Sequence, residues 1–122
     1  MLKRATFPWG ARLHRPSEYA AALKGKRVAK GALFIVSTPR QKDNGYTTAR
    51  LGLIIAKRFA PTAASRNAIK RVIREAFRQQ RHALPKRDYV FRLHRKIPSG
   101  STKALKATVR TEVEQHLSRI MQ

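Results

Sequence analysis

Basic side chains crowd one stretch of this chain, residues 57–81, where they could bind phosphate groups. The stretch holds eight Lys or Arg residues and one acid, Glu75. Plotted at about 100° per residue, seven of its polar residues share an arc of about 140°: Arg66, Asn67, Lys70, Arg71, Arg74, Arg78 and Arg81. We expect the apolar residues to form the dry side of this helix: Ile69, Val72, Ile73, Ala76 and Phe77. The pattern therefore predicts one amphipathic helix with a cationic face.

This cationic face has two interpretations, a solvated surface or a binding surface for a polyanion. Charged helix faces usually interleave Glu or Asp with the basic residues at spacings of three or four, which stabilises the free helix. Here the acids are nearly absent, so the like charges repel one another until an anionic partner neutralises them. The composition therefore favours contact with nucleic acid over plain solvation.

Phosphodiester cleavage by the protein itself would need a paired acid and base or a cage of metal ligands. The four histidines lie on four separate predicted elements with no ligand spacing between them: His14, His82, His94 and His116. The six acids are dispersed in the same way, and the sequence carries no glycine-rich phosphate loop or nucleophile motif. We therefore predict a binding protein with no catalytic and no metal-binding residues of its own.

The basic stretch resembles the signature helix of the protein subunit of bacterial ribonuclease P. The family pattern is Arg-Asn-Arg-x-Lys-Arg-x-x-Arg, and residues 66–74 read RNAIKRVIR. The preceding family strand reads RxGLxVxKK, which residues 50–58, RLGLIIAKR, match closely. Ala68 departs from the pattern because it replaces the second Arg of the triplet. At about 200° on the wheel, Ala68 lies outside the basic arc, so we expect only a peripheral contact to be lost.

The resemblance implies an activity and two binding surfaces. In this family an RNA uses Mg²⁺ to remove the 5′ leader from precursor tRNA, and the protein assists this endoribonuclease. The implied surface for the catalytic RNA comprises Lys57, Arg58, Arg66, Asn67, Lys70, Arg71, Arg74 and Arg78. The implied leader cleft comprises Tyr19, Leu23, Phe34, Val36 and Ile54. Ordinary core positions are the alternative for Phe34, Val36 and Ile54.

Length and charge limit the class of protein. The 122 residues allow one domain, 1–122, in which residues 1–15 read as a largely irregular basic arm. Phe7 and Trp9 in this arm have two open roles, stacking on bases or packing onto the domain. The net charge is +22 and cysteine is absent, so neither disulfides nor thiolate metal sites are possible. The longest apolar run is too short for a bilayer and no signal peptide is apparent, so we expect a cytoplasmic protein without membrane or obligate protein partners.

Local patterns predict three helices and about four strands. A helix over residues 17–24 follows Pro16 and ends before Gly25. Strands are predicted at 27–29, 32–37, 48–57 and 88–94, and the Asn44-Gly45 pair predicts a hairpin loop over residues 40–46. Pro61 and Thr62 begin the basic helix, which ends before Pro85. The last helix has Ser101 or Thr102 as its cap and an apolar stripe: Leu105, Val109, Val113, Leu117 and Ile120.

These elements predict an α+β fold, a compact α/β sandwich in the order α-β-β-β-α-β-α. Alternation groups Phe34 and Val36 with Gly52 and Ile54 on one face of the sheet, and both faces are apolar enough to be covered. Arg92 fits neither face, and an edge position with an outward side chain is one explanation. The resemblance further implies the fold of the second domain of ribosomal protein S5, with a left-handed βαβ crossover. Sequence alone favours the right-handed crossover.

Two other functions fit the charge and size. The first is a ribosomal or other structural RNA-binding protein, which would need no cleft for a mobile strand. The second is a cationic membrane-active helix. The apolar residues argue against the second, because they belong to a core that contains a sheet rather than to one free helix.

Overall fold

The computed structural model describes residues 9–41, 44–46 and 48–122, apart from the side chain of Trp9. Phe7, the rest of the first eight residues and residues 42 and 43 of the predicted loop lie outside the described residues. After a 3-10 turn at Trp9–Ala11, the elements are α1 Pro16–Lys24, β1 Lys26–Lys30, β2 Phe34–Thr38, β3 Arg50–Ile54, α2 Ala63–Gln80, β4 Asp88–Leu93 and α3 Thr102–Met121. The predicted order of helices and strands is confirmed. No helix in the described ranges is long and apolar enough to cross a membrane.

Each α-helix begins where its capping chemistry predicts. Pro16 occupies the first turn of α1, and the Glu18 carboxylate accepts the backbone N–H of Arg15 at 3.1 Å. Thr62 caps α2 by accepting the N–H of Ser65 at 3.1 Å, and Ser101 caps α3 by accepting the N–H of Ala104 at 3.1 Å. These bonds satisfy backbone donors that have no partner within the helix.

The sheet has the strand order β1-β2-β4-β3. β1 and β4 both pair antiparallel with β2, whereas β3 pairs parallel with β4. The predicted hairpin between β2 and β3 is therefore wrong, because β4 lies between them. Gly45 does adopt the positive φ, 74°, expected of the Asn-Gly pair, but its turn joins strands that are not neighbours. The parallel pair β3 and β4 is connected through α2, as a parallel crossover requires, and its left hand stays a prediction.

The main core lies between the sheet and the pair of helices α2 and α3. It buries Ile69, Val72, Ile73 and Phe77 of α2 and the apolar stripe of α3 against the sheet. On the opposite face, which we call the α1 face, Ala22 of α1 packs with Leu13 and Val90. The sheet is therefore covered on both sides, as predicted, with α3 sharing the side of α2.

Phe34 and Val36 belong to the main core and not to the predicted cleft. Both are fully buried, and they pair across the strands with Leu93 and Phe91 of the same core. Residues paired across strands share a face, so the α1 face instead carries Ile35 with Arg92 and Ile54. Alternation within each strand was predicted correctly. The register between strands was not, and a shift of one residue exchanges the two faces.

Two buried polar residues on α3 were not predicted. Glu112 accepts the backbone N–H groups of Leu33 at 2.9 Å and Phe34 at 2.7 Å, where β2 begins. His116, one turn further along α3, contacts the same carboxylate at 3.0 Å. This carboxylate thus replaces the missing strand partners of two buried N–H groups and ties α3 to the sheet.

Candidate nucleic-acid interface

The exposed side of α2 forms a shallow groove, which we call the basic groove. It is lined by Arg12, Asn67, Lys70, Arg71, Arg74, Glu75 and Arg78. Five of these residues belong to the surface predicted for the catalytic RNA, so the structure brings them together. Asn67, Arg71 and Arg74 are exposed, and their side chains are accessible to a phosphate backbone.

Mutual repulsion within the basic groove is visible at Arg74. Partial burial lowers the pKa of Arg74, and the nearby positive charge of Arg12 lowers it further. A guanidinium remains charged even so. Two like charges in one groove favour the binding of an anion, because the anion lowers the electrostatic energy of both.

Glu75 partly neutralises one end of the basic groove. Its carboxylate accepts hydrogen bonds from the Arg78 guanidinium at 2.5 Å and 3.0 Å, and Arg78 lies one turn after it on α2. The hydrogen bond from Arg78 lowers the pKa of Glu75. Among the cations of α2 that line the basic groove, Arg78 is thus the one whose charge an acid partly neutralises.

Arg66, in the first turn of α2, and Arg81, which follows its last residue, turn away from the basic groove. The Arg66 guanidinium donates to the carbonyl oxygens of Ala60 and Pro61, both at 2.9 Å, and so fixes the chain that leads into α2. Arg81 is buried and donates to the Thr48 hydroxyl at 3.1 Å. Both lie at the ends of α2, where residues outside the helix supply oxygen acceptors for their guanidinium groups. The prediction of Arg81 on the cationic face is wrong.

Lys57 and Arg58 lie outside the basic groove. Both are exposed in the turn between β3 and α2. The Arg58 guanidinium lies 4.6 Å from the centre of the Phe59 ring, close enough for a cation–π contact. They extend the positive surface beyond the end of the helix without contributing to the groove itself.

Ala68, where the resembled pattern has Arg, is buried with 7% exposure. The structure therefore agrees with its predicted position outside the cationic face. An alanine here leaves the basic groove intact, because the groove cations of α2 project from another side of the helix.

Arg12 is a groove residue that the sequence did not reveal. It was grouped with the irregular arm, yet it forms a parallel bridge with Leu51 at the edge of β3, and Leu13 N–H donates to the Leu51 carbonyl at 2.8 Å. Because paired residues share a face, Arg12 faces the side of the sheet that α2 covers. The available signal in the sequence was the alternation of the apolar residues Ala11 and Leu13 around it, and both are buried in the structure.

A second groove, the Tyr19 groove, lies at the same edge of the sheet. It is lined by Arg12, Leu13, His14, Tyr19, Leu51, Leu53, Lys70 and Arg74. Gly52 allows this arrangement, because a Cβ on Gly52 would lie 2.7 Å from the Tyr19 ring and 2.9 Å from Leu13. The partly exposed Tyr19 ring therefore rests directly on the backbone of β3.

The remaining cleft residues differ in their exposure. Leu23, four residues after Tyr19 and on the same side of α1, is 45% exposed. Ile54 is partly exposed on the α1 face. Of the five predicted cleft residues, Tyr19, Leu23 and Ile54 are therefore accessible. Phe34 and Val36 are buried in the main core and do not line a cleft.

The two grooves share a wall. Arg12, Lys70 and Arg74 line both of them, so the cationic side of α2 continues without interruption into the Tyr19 groove. The sequence predicted two separate surfaces. The structure instead has one continuous surface with a cationic part and an aromatic part.

A third polar site lies beneath α1, is internal and is built around one arginine. Arg50, with 6% exposure, donates to the Asp88 carboxylate at 2.9 Å and 2.8 Å and to Glu18 at 2.5 Å. The hydrogen bond to Asp88 is the main cause that raises the pKa of Arg50. Burial alone would raise the pKa of Glu18, but hydrogen bonds from the Arg15 N–H and from Arg50 hold it below its usual value. The Tyr46 ring covers the guanidinium at 3.8 Å.

Metal-ligating side chains are not clustered in the described ranges. No group of three or more His, Asp or Glu residues there is arranged to hold a metal ion. The accessible chemistry of the two grooves is therefore cationic and aromatic, which suits phosphate binding and base stacking.

Comparisons with known proteins agree on one family. The family model described as Ribonuclease P matches residues 7–121. The ribonuclease P protein component of Bordetella parapertussis is 59% identical over 121 residues, which cover 98% of each chain. That of Paraburkholderia xenovorans is 36% identical over 125 residues, covering 98% of this chain and 86% of the relative.

Solved structures agree on the fold. The ribonuclease P protein of Staphylococcus aureus superposes with a TM-score of 0.71 at 20% identity, covering 92% of this chain and 98% of that one. The protein from Thermotoga maritima superposes with a TM-score of 0.66 at 26% identity, covering 86% of this chain and 92% of that one.

Proposed function

Because this chain belongs to the ribonuclease P protein family, we propose that its basic groove binds the family's catalytic RNA and that its Tyr19 groove holds the 5′ leader of precursor tRNA. A ribonuclease P protein component is one part of an endoribonuclease that matures tRNA. Its partner is the ribonuclease P RNA. We further propose that the chain binds both RNA molecules in the cytoplasm.

The shared wall of the two grooves is the observation that carries the proposal. A catalytic RNA bound along α2 and a leader lying against Tyr19 would both lie within reach of Lys70 and Arg74. The protein would thereby hold the two RNA molecules side by side. Positioning of this kind contributes to catalysis because it replaces a bimolecular encounter with a fixed geometry.

Each groove suits its proposed ligand chemically. Exposed Arg71 and Arg74 present planar guanidinium groups, which bind phosphate through two parallel hydrogen bonds. Tyr19 presents an aromatic ring, on which a base of any identity can stack. The exposed Leu23 side chain extends the apolar wall of α1 beyond Tyr19. Cleavage itself is assigned to the RNA, which uses Mg²⁺, and no residue of this chain is assigned a catalytic role.

Reconstitution with a bacterial ribonuclease P RNA tests the proposal. Dissociation constants of the complex are measured for precursor tRNA with a leader and for mature tRNA. We expect the complex to bind the leader-bearing form more tightly. Equal affinities would contradict the leader assignment and favour a structural RNA-binding role.

Substitution of Tyr19 tests the aromatic part. Tyr19→Ala should reduce the preference for leader-bearing tRNA, because stacking contributes about 1 to 3 kcal/mol per base. Tyr19→Phe is the matched control, since it keeps the ring and should keep the preference. Thermal unfolding of both variants separates a lost stacking contact from lost packing on Gly52. A Tyr19→Ala variant that is folded and keeps the full preference would refute the stacking role.

A further inference from the structure

Arg92 occupies an unusual position, the middle of the sheet. It lies on β4, which is flanked by β2 on one side and β3 on the other, so the edge position considered from the sequence is wrong. Its partners across the strands are Ile35 and Ile54, which place its side chain on the α1 face. Lys30 of β1 pairs with Ile35 and extends the same row. We call this set, Lys30, Ile35, Arg92 and Ile54, the cross-strand row.

The cross-strand row lies beside the part of the sheet that α1 covers. Val90 and Gly52, two residues earlier on their strands, are covered by Ala22 and by Tyr19 respectively. Ile35 is buried, but Arg92 and Ile54 are partly exposed and Lys30 is exposed. A strand of RNA that leaves the Tyr19 ring along this face would therefore meet one cation, Arg92, between two isoleucines, and a second, Lys30, at the end of the row.

Arg92 lacks the hydrogen-bond partners that the buried residues Arg50 and Arg81 possess. Its Nε–H is shielded from solvent and has no hydrogen-bond partner among the described residues. Asp88, on the same strand and face, is about 13 Å away along β4 and is bound by Arg50. No ion pair among the described residues neutralises Arg92, and its side chain is partly exposed, so its charge is available to an anionic ligand.

We infer that Arg92 binds one phosphate of the single-stranded leader on the α1 face, an inference that rests on the leader binding proposed above. A guanidinium offers several N–H donors in one plane, which match the oxygens of a phosphodiester. Because Ile35 and Ile54 flank it, the attraction between cation and phosphate is less screened by water than at an open surface. Lys30 supplies a second positive charge at the far side of the row.

The test uses the complex reconstituted from the full chain and a bacterial ribonuclease P RNA. Arg92→Met keeps the apolar stem and removes the charge. We expect roughly tenfold weaker binding of leader-bearing precursor tRNA, and a slope of log affinity against log salt that is smaller by about 0.7. Binding of mature tRNA and of the catalytic RNA alone should not change.

Arg119→Met is the matched control. It removes one exposed arginine from α3, which packs on the other face of the sheet. We expect it to leave the preference for leader-bearing tRNA intact. An Arg92→Met variant that matches Arg119→Met in every measurement would overturn the inference, and so would a loss that affects only the catalytic RNA.

Neutral phosphates distinguish direct contact from a structural role. Single methylphosphonate groups are placed at successive leader positions, which removes one negative charge at a time. At one leader position, the methylphosphonate should weaken binding of the precursor tRNA to the wild-type complex but not to the Arg92→Met complex. If Arg92→Met weakens binding equally at every position, Arg92 acts through the fold and the inference is overturned. If the wild-type complex does not prefer the leader at all, the proposed function fails first, which is a separate result.

Discussion

Arginine has opposite surroundings in two regions of this protein. Beneath α1, the single guanidinium of Arg50 is buried and shared between Asp88 and Glu18. Along α2, Arg71 and Arg74 are exposed, and the one acid of the basic groove, Glu75, is bound to Arg78. The chain has 28 basic residues and 6 acids. It places two of those few acids around an arginine that the fold requires.

The two regions contain two kinds of arginine. Arg50 stabilises the fold, whereas Arg71 and Arg74 are exposed and available to an anionic partner. A buried ion pair contributes little over an apolar replacement, but removing one member leaves an uncompensated charge inside the protein. An exposed cation among like charges contributes nothing to the fold and attracts a polyanion. The same residue type therefore has different functions according to whether an acid lies within reach.

The largest expected effect is that of Arg50→Met on stability. The substitution leaves the buried Asp88 carboxylate without its cation, and we expect the free energy of unfolding to fall by about 3 to 5 kcal/mol. Urea unfolding followed by circular dichroism measures it. Arg71→Met is the control, because an exposed substitution should change stability by less than about 0.5 kcal/mol. Equal effects of the two variants would remove the distinction between the regions.

For RNA affinity, we expect the larger effects at the exposed arginines of the basic groove. Arg74→Met and Arg71→Met should each weaken binding of the catalytic RNA and reduce the salt slope of log affinity by about 0.9, because each removes one phosphate contact. Titrations at several salt concentrations measure the slope. A slope that does not change would mean that the side chain touches no phosphate. The thermal stability of both variants should equal that of the wild type.

Acid should weaken the region beneath α1 through Glu18. The folded-state pKa of Glu18 lies below its usual value of 4.5, so the folded protein binds this proton less readily than the unfolded chain. The stabilisation is therefore complete above about pH 4.5 and is lost as the pH falls through the lowered folded value. Urea unfolding between pH 6 and pH 3, with Glu18→Gln as the comparison, measures it. Identical pH profiles for the two proteins would contradict this role.

The smallest effect is expected at the end of the basic groove. Glu75→Gln releases Arg78 from its ion pair and removes the only acid of the groove, so RNA affinity should rise slightly. Arg78→Met should weaken RNA binding less than Arg74→Met does, because Arg78 is already partly neutralised. Binding titrations at low salt measure both. A loss at Arg78 equal to that at Arg74 would mean that RNA displaces Glu75.

The sequence predicted the elements well because their signals are local. Thr62 and Ser101 cap their helices, and the apolar stripe of α3 from Leu105 to Leu117 is buried, as its spacing predicts. The cationic side of α2 was predicted by the same periodicity, and most of its residues do line one groove. Arg66 and Arg81, at the two ends of α2, depart from it because they bind oxygens outside the helix.

The sequence alone thus determined which segments are helices and strands, and that one helix carries many cations and a single acid. The tertiary structure decided which strands are neighbours, and therefore that Ile35 and Arg92, rather than Phe34 and Val36, face α1. It also brought Arg12 to Arg74 and gave Arg50 its two acids. Alternation fixes the two faces within a strand, but only long-range packing sets the register between strands, and the register decides which of those faces becomes the binding surface.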